Sequence, residues 1–121
     1  MLNLPASVRV FVCTHTTDMR RSFDGLVMMA EQVVREDPFS GHLFVFFNRR
    51  RDRVKILYWD RSGPAIWYMR LEAGTFRVPQ EDCGRVELDA VDLTLILEGI
   101  DKEAHRCRRR YERGVRQPGT G

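Results

Sequence analysis

The chain has 121 residues, of which 43% are hydrophobic and 31% charged, and its formal net charge is +3; this is the composition of one globular domain, not of a disordered or fibrous chain. No apolar run approaches the ~18 residues of a membrane span, and no basic start followed by a long apolar segment marks a secretory leader. The three cysteines, an odd number, speak against a secreted disulfide scaffold, so a cytoplasmic protein that closes its own core is expected.

Val8 to Val12 (VRVFV) reads as a short strand after the break at Pro5. In the following stretch Phe23, Leu26, Val27, Ala30, Val33 and Val34 recur at helical spacing. Asp18 or Ser22 is placed to cap that helix, with Phe23 and Leu26 in the core. Pro38 excludes the helical conformation at Asp37, so the helix is predicted to end near Glu36. His42 to Phe47 is almost continuously apolar, as expected of a strand buried on both faces.

Arg53 to Trp59 alternates, with Val54, Ile56 and Tyr58 on one face and Arg53, Lys55, Leu57 and Trp59 on the other. Asp60 to Pro64 has turn composition. Ala65 to Glu72 alternates again, with Trp67, Met69 and Leu71 opposed to Ile66, Tyr68 and Arg70. Phe76 to Val78 and Arg85 to Leu88 are weaker strand candidates. Asp89 caps a helix with an apolar stripe of Leu93, Ile96, Leu97 and Ile100. The predicted fold class is α+β: an antiparallel β-meander of about four or five strands, helices packed on one face, and a basic C-terminal tail. Residues 1–100 form the domain in this reading, and 101–121 a basic helical extension with a flexible end.

Charge is unevenly placed. Residues 49–55 hold five basic side chains and one acid, and residues 106–116 hold six arginines and one acid. Those two stretches carry +9 of a net +3, so the remainder carries −6. Such asymmetry points to a polyanion, nucleic acid first. Of the 20 basic residues 18 are arginine, the side chain that forks onto phosphate; a GC-rich genome accounts for the ratio but not for the clustering. Arg49, Arg50, Arg51, Arg53 and Lys55, at and beside a predicted hairpin tip, are the leading phosphate contacts. Arg20 and Arg21 are further candidates, and Arg106, Arg109, Arg110 and Arg113 share one side of the predicted tail helix. The bland reading is a solvated tip. Tyr58, Trp59, Trp67 and Tyr68 on the adjoining strands offer rings for base stacking if exposed, although strand aromatics usually belong to the core.

Other chemistry is weakly supported. Asp18, Asp24, Asp60 and Glu72 supply carboxylates for a metal-dependent nuclease, but Asp18 and Asp60 have local structural roles. Cys13, His15, Cys83, His105 and Cys107 lack the spacing of structural zinc sites. Isolated glycines form no phosphate loop. No catalytic residue, metal or cofactor is expected.

TDMRRSFDGL (17–26), DPFSGHLFVFFNRRRDRVKILYWDRSG (37–63), YMRLEAGTFRVP (68–79) and LEGID (97–101) together resemble the TnpB/Orf2-like accessory protein of IS66-type insertion sequences. The resemblance implies a small protein encoded beside a larger DDE-type transposase and needed for transposition, without established catalytic residues. It implies that transposase as a partner; DNA at the element ends is the partner the clustered arginines suggest, no membrane is expected, and the oligomeric state stays open. Met69 and Val78 depart from the pattern, where a lysine and an aromatic are common. The expected function is a non-catalytic accessory factor for transposition that binds DNA through the Arg-rich hairpin. The alternatives are a module that docks on the transposase without touching DNA, and a small nuclease built on Asp18, Asp60 and Glu72.

Overall fold

Hydrophobic runs buried on both sides occupy the middle of a sheet, and the strands here follow that rule. A computed structural model describes residues 7–79 and 83–98. The elements are β1 (Val10–Cys13), α1 (Phe23–Met29, continued by a π-helical turn over Ala30–Val34), β2 (Leu43–Phe47), β3 (Arg53–Asp60), β4 (Gly63–Arg70), β5 (Arg85–Leu88) and α2 (Ala90–Leu97). The five strands form one sheet in the order β4-β3-β2-β1-β5. Every residue of β1 and of β2 is buried. β2–β3, β3–β4 and β1–β5 are antiparallel. β1 and β2 are parallel, with Val10 opposite Leu43 and Val12 opposite Val45. The class is α+β as expected, but the sheet is not a pure meander: a parallel pair needs a crossover, and α1 supplies it.

The helices were expected on one face, and they lie on two. Leu26, Met29, Ala30 and Val34 pack with Phe11, Phe44, Phe46 and Leu57. Leu93 and Leu97 of α2 pack with Val10, Val12, Val45, Phe47, Val54 and Ile56 on the opposite side. The physical reason is that β1 and β2 are apolar on both faces, so each face needs its own cover. Phe76 completes the α2 side, its ring 5.5 Å from that of Phe47. No strand forms over Phe76 to Val78; the Phe76 N–H donates to the Arg51 carbonyl instead (2.7 Å). The Arg85 to Leu88 strand is present as an edge on β1.

Helix α1 departs from the reading at both ends. It begins at Phe23, with Ser22 at the cap position making no side-chain cap bond, and Asp18 caps nothing in it. Phe23 is 42% exposed and not core, because the buried stripe starts one turn later and runs through Leu26, Met29, Ala30 and Val34. The π turn adds a residue that keeps Val34 over the sheet. The helix then ends at Val34, earlier than Pro38 would require, because Arg35 turns left-handed (φ 66°) and its N–H and that of Glu36 both donate to the Ala30 carbonyl. In α2 the predicted cap is present: the Asp89 carboxylate accepts from the Asp92 N–H (2.8 Å). Gly84 is buried at φ +94°, where a Cβ would sit 3.0 Å from the Val33 carbonyl oxygen, so β5 approaches the π turn only through glycine. The guanidinium of Arg85 bonds Glu36 and the Val34 carbonyl, closing the same corner. Among the described residues no helix is long and apolar enough to cross a membrane. The predicted extension from Asp101 onward, with Arg106, Arg109, Arg110 and Arg113, lies outside the described residues.

Candidate nucleic-acid interface

The β2–β3 hairpin tip is built around Asn48. Its side-chain oxygen accepts from the N–H groups of Asp52 (3.1 Å) and Arg53 (3.0 Å), and its amide donates to the Asp52 carboxylate (2.7 Å). Arg51 takes a left-handed conformation (φ 61°) that closes the turn. The chain after β4 folds back onto the tip, with the Leu71 N–H on the Asp52 carbonyl (2.8 Å) and the Phe76 N–H on that of Arg51 (2.7 Å). The tip is therefore a braced loop, not a free one.

A second segment is laid against it. The N–H of buried Thr17 donates to the Phe47 carbonyl at the end of β2 (2.9 Å). Asp18 organises the next turn: its carboxylate accepts from the Arg20 N–H (2.9 Å) and pairs with the Arg20 guanidinium (2.7 Å). Lys55, from β3, reaches under this segment and donates to the carbonyls of Met19 and Arg21, both at 2.7 Å. Its ammonium also lies 5.0 Å from the centroid of Tyr68, its register partner on β4.

Between the two segments is an open cleft of about 530 Å³, lined by Thr17, Asp18, Met19, Arg20, Asn48, Arg49, Arg50, Arg53 and Tyr68. An adjoining depression of about 360 Å³ shares Thr17, Asp18 and Arg49 and adds Thr16, Arg21 and Met29. The fold thus brings Arg20 and Arg21 to Arg49, Arg50 and Arg53. Gly25 leaves the room that Arg21 takes: a Cβ there would stand 3.1 Å from the Arg21 Cβ and Cγ. Arg51 is half-buried and does not line the cleft, and Lys55 supports the cleft from beneath.

The electrostatics separate spent from unspent cations. Arg9, Arg20 and Arg85 each pair with a carboxylate. Among the described residues Arg49, Arg50 and Arg53 form no such pair. Arg53 instead lies directly opposite Arg70 in the β3–β4 register, a like-charge cross-strand pair that is unfavourable without an anion near it. Arg70 was placed on its strand face in the sequence but not as a contact, because only the register sets it opposite Arg53; Asn48 was also missed, though an Asn opening a turn is a readable signal.

Asp18 and Asp52 beside the cleft, and Glu87 on the far edge strand β5, are held charged. Hydrogen bonding from Arg20 brings Asp18 down to about 2; bonds from Asn48 and from Arg9 depress Asp52 and Glu87 respectively. A depressed carboxylate stabilises the fold fully above its ordinary range, near 4, and loses that contribution as pH falls through the folded value. Thermal unfolding should therefore show a Tm that drops between about pH 4.5 and pH 2. Asp18→Asn should flatten the lower end of that profile, and an unchanged profile would count against the pair.

The remaining candidates are dispersed. Tyr58 and Trp67 pack against the α2-side core, and Trp59 meets Phe39 edge-on at 5.1 Å. Tyr68 alone of the four lines the cleft. Asp60 ends β3 at the opposite end from the hairpin tip, about 23 Å along the strand, so Asp18 and Asp60 do not converge. Cys13 is buried, which pushes its thiol up, and Cys83 is exposed. Among the described residues no group of three or more His, Cys, Asp or Glu side chains is placed to hold a metal ion.

The family model described as IS66 Orf2 like protein matches residues 8–107, which includes both walls of the cleft. The chain belongs to the IS66 Orf2-like family. It is 33% identical over 101 residues to the uncharacterized protein y4jC of Sinorhizobium fredii, covering 84% of this chain and 86% of that one. It is 34% identical over 101 residues to the uncharacterized protein y4hO of the same organism, covering 84% and 88%. No solved structure matches the chain. Membership in the IS66 Orf2-like family connects the protein with insertion sequences and their transposition.

Proposed function

We propose that the protein is a non-catalytic accessory factor of IS66-type transposition, and that it grips the phosphate backbone of DNA in the cleft between the Thr17–Arg21 segment and the hairpin tip. One observation carries this reading. Arginines from two segments some thirty residues apart in sequence meet around one open cleft, on backbone held in place by Asn48 and Lys55. Arg49, Arg50 and Arg53, which pair with no carboxylate among the described residues, suit phosphate oxygens, which accept bidentate bonds; Arg20 is already paired with Asp18. Phosphate contacts position a protein without reading sequence, so the choice of element ends falls to other contacts or to the transposase. The rival reading, a module that docks on the transposase without DNA, has in its favour the eight-residue strand β4, which stands at the sheet edge among the described residues.

A salt titration of DNA binding by fluorescence anisotropy separates the two. Wild type should bind with an affinity that falls steeply with salt. Arg49→Ala/Arg50→Ala/Arg53→Ala should lower the log–log slope by about two to three. No binding by wild type even at low salt would overturn the DNA reading and leave the docking module.

A further inference from the structure

Tyr68 is a large aromatic residue, 48% exposed, on the wall of the arginine-lined cleft. Alternation along β4 sends it to the α1 side of the sheet, where Ile66 is covered by the core and Tyr68 is not. Its ring is not loose. The Lys55 ammonium lies 5.0 Å from the ring centroid, and that ammonium is itself fixed by two carbonyls. An exposed ring is unremarkable alone on a convex surface. Here it stands in a concavity beside Arg49, Arg50 and Arg53, with Arg70 two residues on along the same strand face.

A volume of about 530 Å³ is that of a site for a small molecule or a single nucleotide unit. A duplex keeps its bases paired and stacked inside, where Tyr68 cannot reach them. A single strand can turn one base into the cleft and leave its phosphates at the rim. Rings and arginines along a groove are the usual means of holding such strands, because every base has a π-face. We infer that the cleft receives single-stranded DNA, with one base stacked on Tyr68 and the adjoining phosphates held by Arg49, Arg50 and Arg53. The inference rests on the DNA-binding reading above and narrows its substrate.

The test uses the full chain and two fluorescein-labelled probes, a short oligothymidylate and its duplex with the complementary strand, at one low salt concentration. Single strand should bind at least about tenfold more tightly than duplex. Tyr68→Ala should weaken single-strand binding by roughly five- to a hundredfold and leave duplex binding within about twofold. Tyr68→Phe, which keeps the ring, should restore single-strand binding, and so distinguishes stacking from a general disturbance of the fold. If Tyr68→Ala leaves single-strand binding unchanged, or weakens both probes equally, the inference is overturned. Should duplex bind as tightly as single strand while Arg49→Ala/Arg50→Ala/Arg53→Ala weakens both, the phosphate reading stands and the single-strand inference fails. Binding of neither probe overturns both.

Discussion

Replacing Lys55 by methionine is expected to lower the unfolding free energy by about 2–3 kcal/mol, because two hydrogen bonds from a charged donor are lost. The methionine stem keeps most of the packing, so the loss reports the ammonium. The carbonyls of Met19 and Arg21, each 2.7 Å from that ammonium, would then lose the group that pins the Thr17–Arg21 segment to the sheet. DNA affinity should fall as well, although Lys55 does not line the cleft, because one wall of the cleft loosens. Urea unfolding and a salt titration on the same variant separate this role from the one that its charge alone suggests. Lost stability with an unchanged salt slope marks Lys55 as a positioning residue. A slope reduced by about one with stability intact would make it a phosphate contact after all.

Phe44→Ala should cost more, about 3–5 kcal/mol. Phe44 is fully buried on the α1 side and stacks on Phe11 at 5.6 Å with an interplanar angle of 22°. Removing its ring empties the space between β2 and α1, and the paired strands on both sides of β2 leave little freedom to collapse into it. Since domains are stable by only about 5–15 kcal/mol in all, chemical denaturation should place this variant close to global unfolding. Phe39→Ala is the matched control: its ring is 52% exposed and touches Trp59 edge-on, so about 1 kcal/mol is the expected loss. Equal losses in the two variants would contradict the assignment of the core.

Period-two alternation made the faces of β3 and β4 readable, and Val54, Ile56, Trp67 and Met69 do face one side together; the bounds were not, since the turn expected over Asp60 to Pro64 is only Arg61 and Ser62, and β4 runs Gly63–Arg70 where Ala65 to Glu72 was expected. The continuous apolar run of β2 announced burial on both faces. What it did not announce was the consequence, that two faces need two covers and that α1 and α2 must therefore part. Nor does any local pattern state that β1 runs parallel to β2, since pairing direction is a property of the whole sheet. Phe23 kept the helical period but fell before the stripe that the sheet covers, and Arg35 ended the helix by a backbone conformation that composition does not encode. In the candidate site, the hairpin arginines were legible as a charge cluster. Their meeting with Arg20 and Arg21 was not, because it depends on the Thr17 N–H reaching Phe47 and on Lys55 turning inward to two carbonyls. A lysine in a run of arginines reads as one more surface cation, and only the fold reveals that its charge is used internally.

The claim on which the account depends is that the Thr17–Arg21 segment and the hairpin tip act as one anion-binding cleft. Its most direct test is an NMR titration that follows the arginine Nε–Hε groups and the backbone amides as an oligonucleotide is added. Saturable shifts are expected at Arg20, Arg21, Arg49, Arg50 and Arg53 and at the amides of Thr17 and Asn48, all described by one Kd. Shifts confined to arginines away from the cleft, such as Arg9 and Arg61, with the cleft groups unmoved, would contradict that claim.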